Sequence, residues 1–74
     1  MDLVPVTDVC EYIQTLKVAE LKEHIKEFNG RLPFCPHMRL SGNKNDLVQR
    51  LTEAVVMACA NIQSYQEMLA VIRP

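Results

Sequence analysis

The sequence predicts an all-α fold, a small four-helix domain, and three observations lead to this prediction. Strong helix formers such as Ala, Leu, Glu, Lys and Met are abundant, whereas the chain has two Gly and few β-branched runs. Apolar residues recur at steps of three and four along several stretches. The 74 residues, 49% of them hydrophobic, include two Phe, two Tyr and no Trp, so one domain with an aliphatic core is expected over residues 1–74.

A short first helix is predicted over about residues 7–15, after an irregular lead-in that contains Pro5. Thr7 or Asp8 can cap this helix. Three residues give it one apolar face: Val9, Ile13 and Leu16. Because a helix of two turns is marginal alone, packing must hold it in place.

A second helix is predicted from Val18 to Phe28 or Asn29. Its apolar residues step by three, four and three, which is typical of a buried stripe: Val18, Leu21, Ile25 and Phe28. Asn29-Gly30 is a common helix ending.

Residues 30–39 are predicted to be irregular, because Pro33 and Pro36 disfavour a helix. Three apolar residues are expected to hold this loop against the core: Phe34, Met38 and Leu40. Positive charge concentrates here and in the next helix, although the whole chain has a net charge of −1. Residues 31–50 contain one acid, Asp46, and four basic residues: Arg31, Arg39, Lys44 and Arg50.

Two helices are predicted in the C-terminal half. The third spans about Lys44 to Ala60, with a wide apolar face: Leu47, Leu51, Ala54, Val55, Ala58 and Cys59. The fourth spans about 64–73, because Ser64 and Glu67 form a capping-box pattern. Its expected buried residues are Met68, Leu69 and Ile72.

The start of the third helix is the best candidate for a binding site. Ser41 and Asn43 are good cap residues, and Gly42 lets the backbone pass close to a ligand. The first N–H groups of a helix lack internal partners and carry partial positive charge, and Lys44 and Arg50 add full charges. This combination is typical of a phosphate site.

Residues 16–51 resemble the SAP domain, a helix–extended loop–helix DNA-binding module. The first half of the motif is Leu16-Lys17-Val18-Ala19-Glu20-Leu21-Lys22-Glu23. The second half, Ser41 to Leu51, matches the family's Ser-Gly-x-Lys-x-x-Leu-x-x-Arg-Leu run. The flanking helices are similar to those of the amino-terminal domain of PIAS/Siz-type SUMO E3 ligases. The chain departs from the family in its loop, where residues 34–40 are additional, and it lacks the LxxLL signature in the second helix.

The resemblance implies a monomeric nuclear domain that binds double-stranded, A/T-rich DNA and tethers a larger protein, a SUMO E3 ligase, to chromatin. By position, five residues would contact phosphates: Lys17, Ser41, Gly42, Asn43 and Lys44. Arg31 and Arg39 join this set on charge alone. An A/T preference would come from groove width and shape.

A protein–protein interaction module on the same scaffold remains the alternative, with the 30–40 loop as its docking surface. The related LEM-type modules bind protein on a similar fold. A continuous positive face around Lys17, Arg39 and Lys44 would favour DNA, whereas an apolar patch from Phe34 and Met38 would favour a protein partner. RNA binding also stays open.

Catalysis, cofactors, metals and membrane insertion are not expected. The chain shows no Ser/His/Asp group or Gly-rich nucleotide loop, and any ligase activity would lie in a separate domain. Cys35-Pro36-His37 with His24 or Cys10 matches no standard zinc spacing, and His24 is expected to be exposed. The longest apolar run, residues 54–60, is far shorter than the roughly 20 residues of a membrane span, and no N-terminal leader is apparent. Three cysteines suit reduced thiols, with Cys10 and Cys59 as small core residues.

Overall fold

The computed structural model describes residues 3–33 and 37–72, and within them it is all-helical, with four helices and no strand. The helices are α1 (Val6–Thr15), α2 (Val18–Arg31), α3 (Lys44–Ala58) and α4 (Ile62–Val71). The prediction of a small all-α domain with four helices is therefore confirmed. None of these helices combines the length and the apolar character that crossing a membrane requires.

Helix α3 lies at the centre of the fold. It packs against α1, α2 and α4, and α2 also contacts α4. The core is almost entirely aliphatic, with Phe28 as its largest fully buried side chain. Its members are Val9, Ile13, Leu16, Leu21, Ile25, Phe28, Leu32, Leu47, Leu51, Ala54, Val55, Ala58, Tyr65, Met68 and Ile72.

Two residues expected in the core are exposed. Val18 is 38% exposed because it is the first residue of α2, one turn before the buried Leu21. Cys59 is exposed because it follows the last residue of α3, and its thiol donates to the Val56 carbonyl oxygen at 2.9 Å. Cys10 is half-buried and packs against the core.

The second helix extends further than the sequence predicts. It continues through Gly30 to Arg31 and ends where the Leu32 N–H donates to the Phe28 carbonyl oxygen at 3.0 Å. The prediction that Asn29-Gly30 ends the helix is therefore wrong. Gly30 does not adopt the positive φ of a glycine cap.

The ends of the other helices also differ from their predictions. Helix α4 begins at Ile62 because the Asn61 side chain accepts hydrogen bonds from the Gln63 and Ser64 N–H groups, at 2.8 and 3.3 Å. Ser64 therefore lies inside the helix and does not cap it. Helix α3 ends at Ala58, two residues before its predicted end, which leaves room for the α3–α4 turn.

The lead-in caps the first helix with its backbone. The Pro5 carbonyl oxygen accepts hydrogen bonds from Asp8 N and Val9 N, at 3.1 and 3.2 Å. Helix α1 consequently begins at Val6, and the two predicted cap residues, Thr7 and Asp8, lie within its first turn. The Tyr65 hydroxyl donates to the Val4 carbonyl oxygen and so fastens the lead-in to α4.

Candidate nucleic-acid interface

An extended segment, residues 37–43, leads from the loop into α3 and carries most of the predicted site residues. Its first anchor is Asn29, near the end of α2. The Asn29 Nδ2 donates to the Met38 carbonyl oxygen at 2.9 Å, and the Met38 N–H donates to Asn29 Oδ1 at 2.8 Å. One side chain thus satisfies both backbone groups of Met38, as a neighbouring strand would.

The second anchor is Arg50, on α3. Its Nη1 donates to the Arg39 carbonyl oxygen at 3.1 Å and also to the Ser41 carbonyl oxygen. The half-buried Arg50 therefore holds the segment against α3 and does not project freely toward a ligand. Its charge still adds to the local positive potential.

Burial alternates along this segment with the period of an extended chain. Met38 and Leu40 are half-buried and pack against the core, which confirms the prediction made for them. His37, Arg39 and Ser41 are exposed on the opposite side. Phe34, the third residue of that prediction, lies outside the described residues.

The turn into α3 depends on Gly42, Asn43 and Asp46. The Asn43 Oδ1 accepts a hydrogen bond from Asp46 N at 3.0 Å, and Asp46 Oδ2 accepts one from Asn43 N at 3.3 Å, which is a reciprocal capping box. Gly42 has φ = +118°, and a Cβ there would lie 2.8 Å from Asp46 Oδ2. Gly42 is thus required by the turn itself, in addition to any close approach of a ligand.

Capping leaves some donors at the helix start available. The Asp46 and Leu47 N–H groups bond to Asn43, whereas the N–H groups of Lys44 and Asn45 meet no acceptor among residues 3–33 and 37–72. The exposed Lys44 side chain lies beside them. Asp46 also places a carboxylate in this first turn. Its negative charge weakens the attraction of the helix start for anions.

Lys17 and Arg31 lie at opposite ends of α2. Lys17 is exposed at the N-cap position, where its backbone N–H donates to Glu20 Oε1 at 3.0 Å. Arg31 is exposed in the last turn, near the Asn29 anchor. The 14 residues of α2 span about 20 Å, so a ligand that meets both must extend along the helix. Arg39 lies on the segment and Lys44 at the start of α3, five residues further along the chain, whereas Lys17 lies on a separate element.

The candidate cations are not engaged by carboxylates. Within the part of the chain that the structure describes, one ion pair forms, between Lys26 Nζ and Glu23 Oε1 at 3.7 Å. No carboxylate in that part therefore neutralises Lys17, Arg31, Arg39 or Lys44. These four exposed charges remain available to an anionic ligand.

Other candidate chemistry is weakly supported. Among the described residues, no group of three or more His, Cys, Asp or Glu side chains could hold a metal ion. His24 is half-buried rather than exposed, and its Nδ1 atom is buried without a hydrogen-bond partner in the described part of the protein. Burial, together with the nearby Cys59, raises the pKa of the Cys10 thiol.

Comparison with protein-family models, curated proteins and solved structures finds no match for this chain.

Proposed function

We propose that this domain is a SAP-type module that binds the phosphate backbone of double-stranded DNA through segment 37–43 and the start of α3. The observation that carries the proposal is the double anchoring of this segment by Asn29 and Arg50. It orders an extended chain before the ligand arrives, with Arg39 exposed on the chain that leads to the free N–H groups of α3. Preorganisation of this kind lowers the entropic cost of binding.

The available charge limits the strength of the interaction. Lys17, Arg31, Arg39 and Lys44 could neutralise three or four phosphates, which predicts a slope of log K against log salt of about −3. Non-specific affinity would then be about micromolar or weaker at physiological salt. Such a domain suits an auxiliary tether, in keeping with the proposal that it anchors a larger nuclear protein, a SUMO E3 ligase, to chromatin.

Sequence preference would depend on DNA shape. Phosphate contacts position a protein without reading bases, and the exposed side of the segment presents a single Arg and a single His. A preference for A/T-rich duplexes is expected if Arg39 enters a narrow minor groove, where the negative potential is enhanced.

The test is an NMR titration of the ¹⁵N-labelled domain with a short A/T-rich duplex at low and at moderate salt. We expect salt-sensitive shifts of the Gly42, Asn43 and Lys44 amides, together with the region of Lys17. A G/C-rich duplex and an RNA duplex of equal length serve as controls for shape preference and for the choice between DNA and RNA. The absence of shifts with any nucleic acid at low salt would refute the proposal.

A further inference from the structure

A second surface lies on the α3 side of the extended segment, apart from the exposed Arg39 and Lys44. A shallow cleft of about 80 Å³ opens between the segment and α3, and its lining residues are Met38, Arg50, Glu53, Ala54 and Met57. Met57 is 49% exposed and leaves an apolar side chain accessible at the edge of the cleft. The cleft is the size of one aliphatic side chain.

The cleft continues into a polar groove along α3. This groove has a volume of about 260 Å³, shares Arg50 and Glu53 with the cleft, and is otherwise lined by Asp46 and Gln49. Asp46 and Glu53 are seven residues apart, so they lie on one face of the helix, two turns from each other. The surface therefore combines an apolar end with a polar end.

The charge of the groove is unbalanced. The Arg50 guanidinium is directed to the carbonyl oxygens of Arg39 and Ser41, and neither Asp46 nor Glu53 forms an ion pair within residues 3–33 and 37–72. Glu53 accepts only a 3.3 Å hydrogen bond from the Gln49 side-chain amide in that part of the chain. With the Arg50 charge counted, the groove still holds one negative charge in excess, which favours a cation at its Glu53 end.

We infer that this groove docks a short segment of a partner protein that carries an aliphatic side chain next to a lysine or arginine. The aliphatic group would fill the cleft between Met38 and Met57, since methionine side chains adapt to varied apolar shapes. The adjacent cation would lie against Glu53, the carboxylate that lines both the cleft and the groove. Val56, 54% exposed and one turn from Glu53, extends the apolar surface beyond the cleft.

A defined peptide tests the inference. The probe is a capped hexapeptide of Gly and Ser with Leu-Lys at its centre, and the matched controls carry Leu-Glu or Ala-Lys instead. In a domain with ¹³C-labelled methionine methyls, the Leu-Lys peptide should shift the Met38 and Met57 signals and leave the fully buried Met68 signal in place. Replacing Lys by Glu in the peptide should weaken binding about threefold or more.

Variants of the domain separate this contact from unspecific adhesion. Glu53→Lys should reverse the preference, so that the Leu-Glu peptide binds better than the Leu-Lys peptide. Met57→Ser should weaken both peptides, whereas Ile62→Ser, at a residue 67% exposed on α4 and outside the cleft, should not. The side chains of Met57 and Ile62 are both exposed, so neither substitution should unfold the domain.

Three outcomes would overturn the inference. The first is equal binding of the Leu-Lys and Leu-Glu peptides, or no methyl shift at millimolar peptide. The second is a shift of the Met57 methyl by a DNA duplex, which would make the groove part of the nucleic-acid site. The third is concentration-dependent dimerisation that Glu53→Lys abolishes, because Lys17 and the exposed Val18 of a second copy would then be the occupant.

Discussion

The side-chain amide of Asn29 pairs with the backbone of Met38 through two hydrogen bonds, of 2.9 and 2.8 Å. This pairing joins the last turn of α2 to the first part of the extended segment. Met38 also packs its side chain against the core. Met38 therefore fixes both the direction of the segment and how closely it approaches the core. The proposed binding surface therefore depends on a residue that would itself touch no DNA.

The first prediction concerns this pairing. Asn29→Ala leaves Met38 N and O without their partners, so we expect a loss of about 1 kcal/mol in the free energy of unfolding, partly offset by the better helix propensity of Ala. Amide hydrogen exchange at Met38 should accelerate strongly, whereas Gln66→Ala, on the exposed side of α4, should leave it unchanged. Unaltered exchange at Met38 in the Asn29 variant would show that the pairing does not hold the segment.

The two glycines should respond in opposite directions to the same substitution. Gly42→Ala forces a side chain to φ = +118° and brings its Cβ to 2.8 Å from Asp46 Oδ2, so we expect destabilisation by about 1–2 kcal/mol. Gly30→Ala lies within α2 and meets nothing within 4 Å, so we expect stabilisation by about 0.5–1 kcal/mol. Urea unfolding measures both changes, and a shift of the same sign in both variants would contradict the geometry of the turn.

Arg50 is predicted to act on DNA binding as a positioning residue. Arg50→Lys keeps the charge but loses the planar fork that reaches two carbonyl oxygens, those of Arg39 and Ser41. We expect weaker affinity for the duplex with an unchanged slope of log K against log salt, because the number of phosphates contacted stays the same. Full affinity in Arg50→Lys would mean that the charge alone matters at this position.

These residues also show what sequence reasoning can and cannot recover. The helix faces follow from local spacing, and Leu21, Ile25 and Phe28 lie in the core as their periodicity predicts. Helix ends are less determined, because Asn61 and Ser64 are both good cap residues, and only the packing of the α3–α4 turn decides that Asn61 caps α4.

The candidate site is harder to predict because its supports are distant in the chain. In the sequence, Asn29 looks like a residue that ends a helix and Arg50 looks like a free cation. In the fold, each contacts a segment residue that lies nine or eleven positions away in the chain. The candidate contact residues Arg39 and Lys44 can be found from charge and motif. Asn29 and Arg50, which hold the segment in place, have only one feature in the sequence that marks them. Each is a polar residue at the border of an apolar helix face.

The cysteines provide a prediction about reactivity. Burial raises the pKa of the Cys10 thiol above its ordinary value of 9.0, and the nearby Cys59 adds to this effect. Since the thiolate is the nucleophile, iodoacetamide at pH 8 should alkylate the exposed Cys59 faster than the half-buried Cys10. Peptide mapping by mass spectrometry measures the two rates, and the urea-unfolded protein, in which they should become similar, is the control. Equal rates in the native protein would contradict the burial of Cys10.

The raised pKa values of Cys10 and Tyr65 predict how stability depends on alkaline pH. The pKa of Tyr65 is also raised, first by burial and then by nearby acidic groups, from an ordinary value of 10.0. A raised pKa in the folded state means that the unfolded chain releases its proton first. The free energy of unfolding should therefore hold below pH 9 and fall as the pH rises through 9 and 10. Tyr65→Phe should remove the part of this decline above pH 10, as urea unfolding at a series of pH values would measure.

Lys44 and Lys26 offer a matched comparison for the proposed DNA contact. Both are exposed lysines on helices, but Lys44 adjoins the free N–H groups of α3, whereas Lys26 pairs with Glu23 on α2. Lys44→Ala should weaken duplex binding uniformly across sequences and reduce the magnitude of the salt slope by about one, because one phosphate contact is lost. Lys26→Ala changes the net charge equally and should leave the slope unchanged. If both variants changed the slope alike, binding would reflect overall charge, and Lys44 would no longer define a site at the start of α3.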